Sequence, residues 1–116
     1  MKSNAKLTGL VQELKKHSIE HGVSLWKKIA INLENSNQNK RVVNLYKLEK
    51  TVRDGETVIV PGKVLAVGEL TKPIKIAAFK FSQQAEEKIK KANGNIYTIP
   101  QIMKENPKGE KVRLMG

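Results

Sequence analysis

The chain has 116 residues, room for one modest core, and its apolar share of 39% is low for a compact domain. Its 22 Lys and Arg against 11 Asp and Glu leave a net charge of +11, which repels itself until a dense polyanion neutralises it. The absence of cysteine excludes disulfides and thiolate metal sites, and no stretch approaches the roughly 20 apolar residues of a spanning helix, so a cytoplasmic nucleic-acid binder without a secretory signal is the expectation.

In chain order, Leu7, Leu10, Val11 and Leu14 recur at three and four residues and predict a helix. Ile19 extends its apolar face and Gly22 stops it. Ser24 is placed to cap a second helix, with Leu25, Trp26, Ile29, Ala30 and Leu33 inward and Lys27, Lys28 and Asn32 outward. Residues 34–41, "ENSNQNKR", form a polar loop. Val42 and Val43 predict a short strand, and Asn44 caps a helical turn carrying Leu45 and Leu48. After the Asp54-Gly55 turn, Thr57–Val60 and Lys63–Val67 read as two short strands broken at Pro61-Gly62, because proline cannot donate to a strand ladder.

"KPIKIAAFKFS" predicts a central strand: Ile74, Ile76 and Ala78 point one way, Ala77, Phe79 and Phe81 the other. Ser82 then caps a helix whose acids, Glu86 and Glu87, come early and whose lysines, Lys88, Lys90 and Lys91, come late, in the order the helix dipole favours. Gly94 closes it. "IYTI" is a short strand, Pro100 opens a brief helix, and "KVRLM" is a last strand. Three times a short strand leads into a helical turn, which implies small strand–helix units stacked in succession.

Two motifs invite a catalytic reading. Gly62-Lys63 lacks the second glycine and the hydroxyl residue of a phosphate-binding P-loop, so it reads as a bend in a strand with Lys63 outward. "HSIEH" places His17, Glu20 and His21 in the H-x-x-E-H order of an inverted zinc-protease motif, but Gly22 ends the helix at once and no catalytic scaffold follows. No Ser/His/Asp set is visible, Asp54 is the lone aspartate, and Trp26 falls inside an apolar stripe, where it serves the core. The expectation is therefore no enzyme, no metal, no cofactor and no small-molecule substrate.

The cations are mostly lysines; Arg41, Arg53 and Arg113 are the only arginines. Lysine is a point charge for phosphate, whereas arginine forks onto base edges, so backbone and shape recognition is favoured over base readout. The cations are spread along the whole chain, as suits a piece set into folded RNA. No aromatic platform of the RRM kind is evident.

The run "VIVPGKVLAVGELTKPIKIAAFKFSQQAEEKIKKANG", with "LVQELKKHS", "LWKKIAINLE" and "VVNLYKLE" before it, resembles the archaeal and eukaryotic large-subunit ribosomal protein family L-eighteen-e, in its short archaeal form. That family is related to the C-terminal part of bacterial ribosomal protein L-fifteen. The resemblance implies an α/β fold, an irregular superhelix of short strand-strand-helix units preceded by an N-terminal helical pair. It implies a single domain over 1–116, with 1–35 the helical segment and 36–116 the core. It further implies a structural role in the large ribosomal subunit, binding ribosomal RNA beside neighbouring ribosomal proteins, away from any membrane. A non-ribosomal RNA-binding or RNA-chaperone protein is the alternative. Lys27, Lys28, Lys40, Arg41, Lys63, Lys72 and Lys80 are the expected phosphate contacts. The chain departs from the family at Ala66 and Asn93, where glycine is usual, and in the arginine-poor "NSNQNKR"; asparagine tolerates the left-handed conformation, so the turn at Asn93 survives.

Overall fold

The computed structural model describes residues 5–35 and 42–115; of the polar loop expected over 34–41, Glu34 and Asn35 belong to a helix and 36–41 lie outside the described residues. Two helices come first, α1 (Ala5–His21) and α2 (Ser24–Asn35). Gly22, at φ 65°, takes the left-handed turn between them, and Val23 N–H donates back to Ser18 O at 3.1 Å while the Ser18 hydroxyl donates to Val23 O at 2.7 Å. Leu14, Trp26, Ile29, Ala30 and Leu33 are fully buried as their spacing requires. Ile19 does not extend this face: it is 82% exposed, because the second helix covers α1 along the other residues.

The rest of the described chain runs β1 (Val42–Asn44), α3 (Leu45–Thr51), β2 (Thr57–Leu65), β3 (Lys75–Phe81), α4 (Gln83–Lys91), β4 (Asn95–Tyr97), α5 (Ile99–Glu105) and β5 (Val112–Leu114), with β2 and β3 joined by a loop and no helix. All the strand pairings are parallel. The order is β1-β2-β3-β4, with β5 also on β2. β5 pairs the first residues of β2 and β1 pairs its last, so the two share one edge. Each strand–helix unit expected from the sequence forms, within one parallel sheet.

A parallel sheet is covered on both faces, so its central strands are apolar on both sides. On one face Val58, Val60, Ile76 and Ala78 meet Leu45 and Leu48 of α3 and Ala85 and Ile89 of α4. On the other, Ile59 and Ala77 meet Leu14, Trp26, Ile29, Ile102 and Met103 from α1, α2 and α5. The division expected within "KPIKIAAFKFS" holds for Ile74, Ile76, Ala78, Ala77 and Phe79. Phe81, at the strand end, packs against the first cluster instead.

Residues 57–65 form one strand rather than two. The register on β3 shifts between Val60 and Lys63, a bulge around Pro61-Gly62 that absorbs the missing proline donor without ending the strand. Ser82 caps α4 by accepting from Ala85 N–H at 3.1 Å. Asn93 is left-handed at φ 64°, and Gly94 is required beside it, since a Cβ there would stand 2.8 Å from Ile74 O. Asn44 sits at the N-cap of α3 but makes no side-chain cap; the N–H of Tyr46, which it would have satisfied, donates to Val67 O at 3.0 Å.

One carboxylate fastens β5. Glu56 accepts from Arg53 N–H at 2.6 Å and from Arg113 Nε at 3.1 Å, which together hold its carboxyl below the ordinary value of 4.5. A carboxylate with a lowered folded-state pKa stabilises above its unfolded value and loses that contribution as pH falls through the lowered one. Thermal stability is therefore expected to be level above the carboxylate range and to decline in acid, with a shallower acid decline in Glu56→Gln. Melting curves taken from neutral pH into acid check this; identical acid slopes in both proteins contradict it.

Candidate nucleic-acid interface

The strands all run the same way, and β1, β2 and β3 end together; the carboxyl end of a parallel sheet is the usual location of ligand sites. Here the bulge has its consequence. Beyond it, Lys63 stands opposite Lys80, and Val64 opposite Phe81. Val64 and Phe81 pack into the α3–α4 cluster, so alternation sends Lys63 and Lys80 together to the other face. Val42 lies opposite Lys63 from β1, with Val43 in the α3–α4 cluster, and completes a row across three strands. Without the shift Lys63 would face Phe81, and the two lysines would not be paired.

Neighbouring strands are roughly 4.8 Å apart, and like charges directly opposite destabilise a sheet. Lys63 is half-buried and Lys80 exposed. Among the described residues neither has an ion pair or a hydrogen bond from its ammonium. An anionic oxygen between them would remove the repulsion and supply both with a partner.

The other sequence-derived candidates are dispersed. Lys27 and Lys28 are exposed on the outer face of α2. Lys72 is engaged within the fold, its ammonium donating to Val52 O, at the end of α3, at 2.8 Å. Beside it the Glu49 carboxylate accepts from the N–H and hydroxyl of Thr71, hydrogen bonds that lower its pKa. Lys40 and Arg41 lie outside the described residues. Several cations are already engaged: Lys15 with Glu34 at 2.8 Å, Lys75 with Glu105 at 3.5 Å, and Lys88, which donates to Ala66 O and Gly68 O and faces Glu69. The distributed charge is thus of two kinds, cations that fasten the fold and cations left open.

Of the "HSIEH" residues, His17 is put to packing, while Glu20 and His21 stay exposed. His17 turns toward α2, edge-on to Trp26 with ring centroids 5.6 Å apart, and His21 stacks on it at 4.1 Å. Glu20 faces Lys16 at 3.9 Å. Among the described residues no three His, Asp or Glu side chains gather as a metal-binding group, and no helix is long and apolar enough to cross a membrane. An apolar groove of about 440 Å³ runs between α1 and the β3–α5 side, walled by Leu10, Phe79, Ile99 and Pro100, with Glu13 as its charged residue.

Tyr46 is a residue that sequence reasoning missed. Leu45 and Leu48 form the buried stripe of α3, and Tyr46 falls off that stripe, which was the available signal. It is 56% exposed, next to Val67 at 61%.

A family model that groups the ribosomal proteins 50S-L15 and 50S-L18e with their 60S counterpart matches residues 8–97. The large ribosomal subunit protein eL18 of Methanoregula boonei is 46% identical over 98% of this chain and 94% of its own length. The eL18 of Archaeoglobus fulgidus is 43% identical over 98% and 97%, and that of Methanopyrus kandleri 37% identical over 97% and 93%.

Proposed function

Since the chain belongs to the archaeal eL18 family of large ribosomal subunit proteins, we propose that it is a structural, RNA-binding constituent of the large subunit. It serves translation on the ribosome in the cytoplasm, without catalysis of its own. Its partners are large-subunit ribosomal RNA and neighbouring ribosomal proteins.

The observation that carries this reading at the level of geometry is the Lys63–Lys80 pair, two cations in register without acidic partners among the described residues. Lysines neutralise phosphates that converge on the domain, and the rigid sheet holds those RNA segments at fixed separations. Lys27 and Lys28 take phosphates on a second side, and Lys40 and Arg41 add charge just before β1. Lys72 keeps one ammonium hydrogen on Val52 O and has two others for an RNA oxygen. The chain acts as one domain over 1–116: α1 and α2 share a core cluster with β2, β3 and α5, which supports counting residues 1–35 and 36–116 as parts of one unit. Successive strand–helix units return in parallel, which supports the irregular superhelical winding of the family.

The test is twofold. The protein is expected to cosediment with large subunits through a moderate-salt wash. Its binding to isolated large-subunit RNA should fall steeply with salt; about five phosphate contacts on irregular RNA give a log–log slope of roughly −3 to −4. A slope near zero, or absence from washed subunits, overturns the reading.

A further inference from the structure

Tyr46 is held unusually firmly for an exposed residue. Its N–H donates to Val67 O at 3.0 Å. Gly68, at φ 97°, presses against its backbone: a Cβ on Gly68 would stand 2.5 Å from Tyr46 Cβ and 2.8 Å from Tyr46 N. The segment opposite is fixed in turn, because the Lys88 ammonium donates to Ala66 O at 3.0 Å and to Gly68 O at 2.9 Å. The ring therefore projects into solvent from a backbone locked on two sides. Among the five aromatic residues, Trp26 is buried and Phe79, Phe81 and Tyr97 are half-buried; Tyr46 is the exposed one.

Its position relates it to the lysine row. The last rung of the β1–β2 ladder is Asn44 with Leu65, two residues beyond Val42 with Lys63. Tyr46 and Val67 follow two residues beyond that rung on each chain segment. Tyr46, at the start of α3, and the lysine row thus lie toward the same carboxyl end of β1 and β2, the row on the face away from α3. An RNA strand that rounds this end of the sheet from Lys63 and Lys80 would pass Tyr46. Lys47 and Lys50, both exposed on the same helix, give the patch a cationic border.

We infer that Tyr46, backed by Val67, is a preorganised stacking platform for one unpaired nucleobase of the bound RNA. The inference rests on the RNA-binding reading above. An aromatic face takes any base, so the contact adds affinity without sequence preference. It adds no phosphate contact, so it leaves the salt slope unchanged. Locking the backbone beforehand lowers the ordering cost on binding.

The experiment measures binding of the full chain to large-subunit RNA as a function of salt, for wild type, Tyr46→Phe, Tyr46→Leu and Tyr46→Ala. Thermal melts establish that each variant is folded. Tyr46→Phe is expected within about twofold of wild type, while Tyr46→Leu and Tyr46→Ala weaken binding by about 5- to 100-fold with the slope unaltered. Ultraviolet crosslinking of the wild-type complex should place a nucleotide on Tyr46. If wild type binds RNA with a steep slope but Tyr46→Ala binds equally well, the platform is refuted while the RNA-binding reading stands. Protection of Tyr46 solely when other ribosomal proteins are present assigns the patch to a protein neighbour and also refutes it. If wild type fails to bind RNA at all, both readings fall together.

Discussion

Trp26→Ala is expected to lower the unfolding free energy by about 3–5 kcal/mol, the range for removing a large aromatic side chain from a core. Domains of this kind are stable by only about 5–15 kcal/mol, so the loss is a large fraction of the whole and lowers the melting temperature on the order of 15 °C. Trp26 is fully buried where α1, α2 and α5 meet the sheet. Its indole N–H donates to Pro107 O at 2.7 Å, across 81 residues of chain, and His17 meets it edge-on. The alanine variant loses the packed volume and strands a carbonyl. Trp26→Phe keeps most of the volume and loses the hydrogen bond, so it should cost about 1–3 kcal/mol. Urea unfolding followed by far-ultraviolet circular dichroism separates the two, and suits a chain whose one tryptophan is the residue replaced. A loss below about 1 kcal/mol in Trp26→Ala would falsify the packing of α2 described above.

The second large effect concerns RNA. A double variant, Lys63→Gln with Lys80→Gln, removes the two proposed phosphate contacts while keeping most of each side-chain stem. The salt slope should become shallower by about 1.4, and at an ionic strength on the order of 0.1 M the affinity should drop roughly 25-fold. Stability should move the other way. Two like charges opposite each other on adjacent strands are removed, so the RNA-free protein gains about 0.2–1 kcal/mol or is unchanged. Opposite signs for binding and folding distinguish a phosphate site from a structural pair of lysines. Lys75→Gln is the comparison, because its ammonium already faces Glu105, and it should shift the slope much less. Equal slopes in the double variant and wild type would remove Lys63 and Lys80 from the interface.

The strand–helix units were legible because their signals are local. Ser82 accepts from a residue three positions on, and the stripe of Leu45 and Leu48 lies within one turn. Thr98 forms a reciprocal capping box with Gln101, equally local although the strand expected at "IYTI" takes in Thr98 and Ile99 before the helix. Even the left-handed Asn93 follows from the tolerance of its own side chain. Local signals failed where a distant group intervened. Asn44 does not cap α3, since Val67 O reaches the N–H first. Ile19 is apolar and in phase, yet it lies where no partner helix covers it. The candidate site was legible as a class of residue, open lysines, but not as a place. Lys63, Lys72 and Lys80 look alike in the sequence, and it took the fold to set Lys72 on a carbonyl and to align the other two.

Composition alone settled that this chain carries more positive charge than its acids can balance, and spacing alone settled most of its helices and strands, because charge is a sum and capping and periodicity act within a turn or two. The tertiary structure decided that Pro61-Gly62 is a bulge within one strand, that the bulge brings Lys63 opposite Lys80, and that β5 shares an edge with β1. Those outcomes depend on register between segments far apart in sequence, and register is set by which apolar faces can be buried together, a property of the whole core rather than of any short stretch.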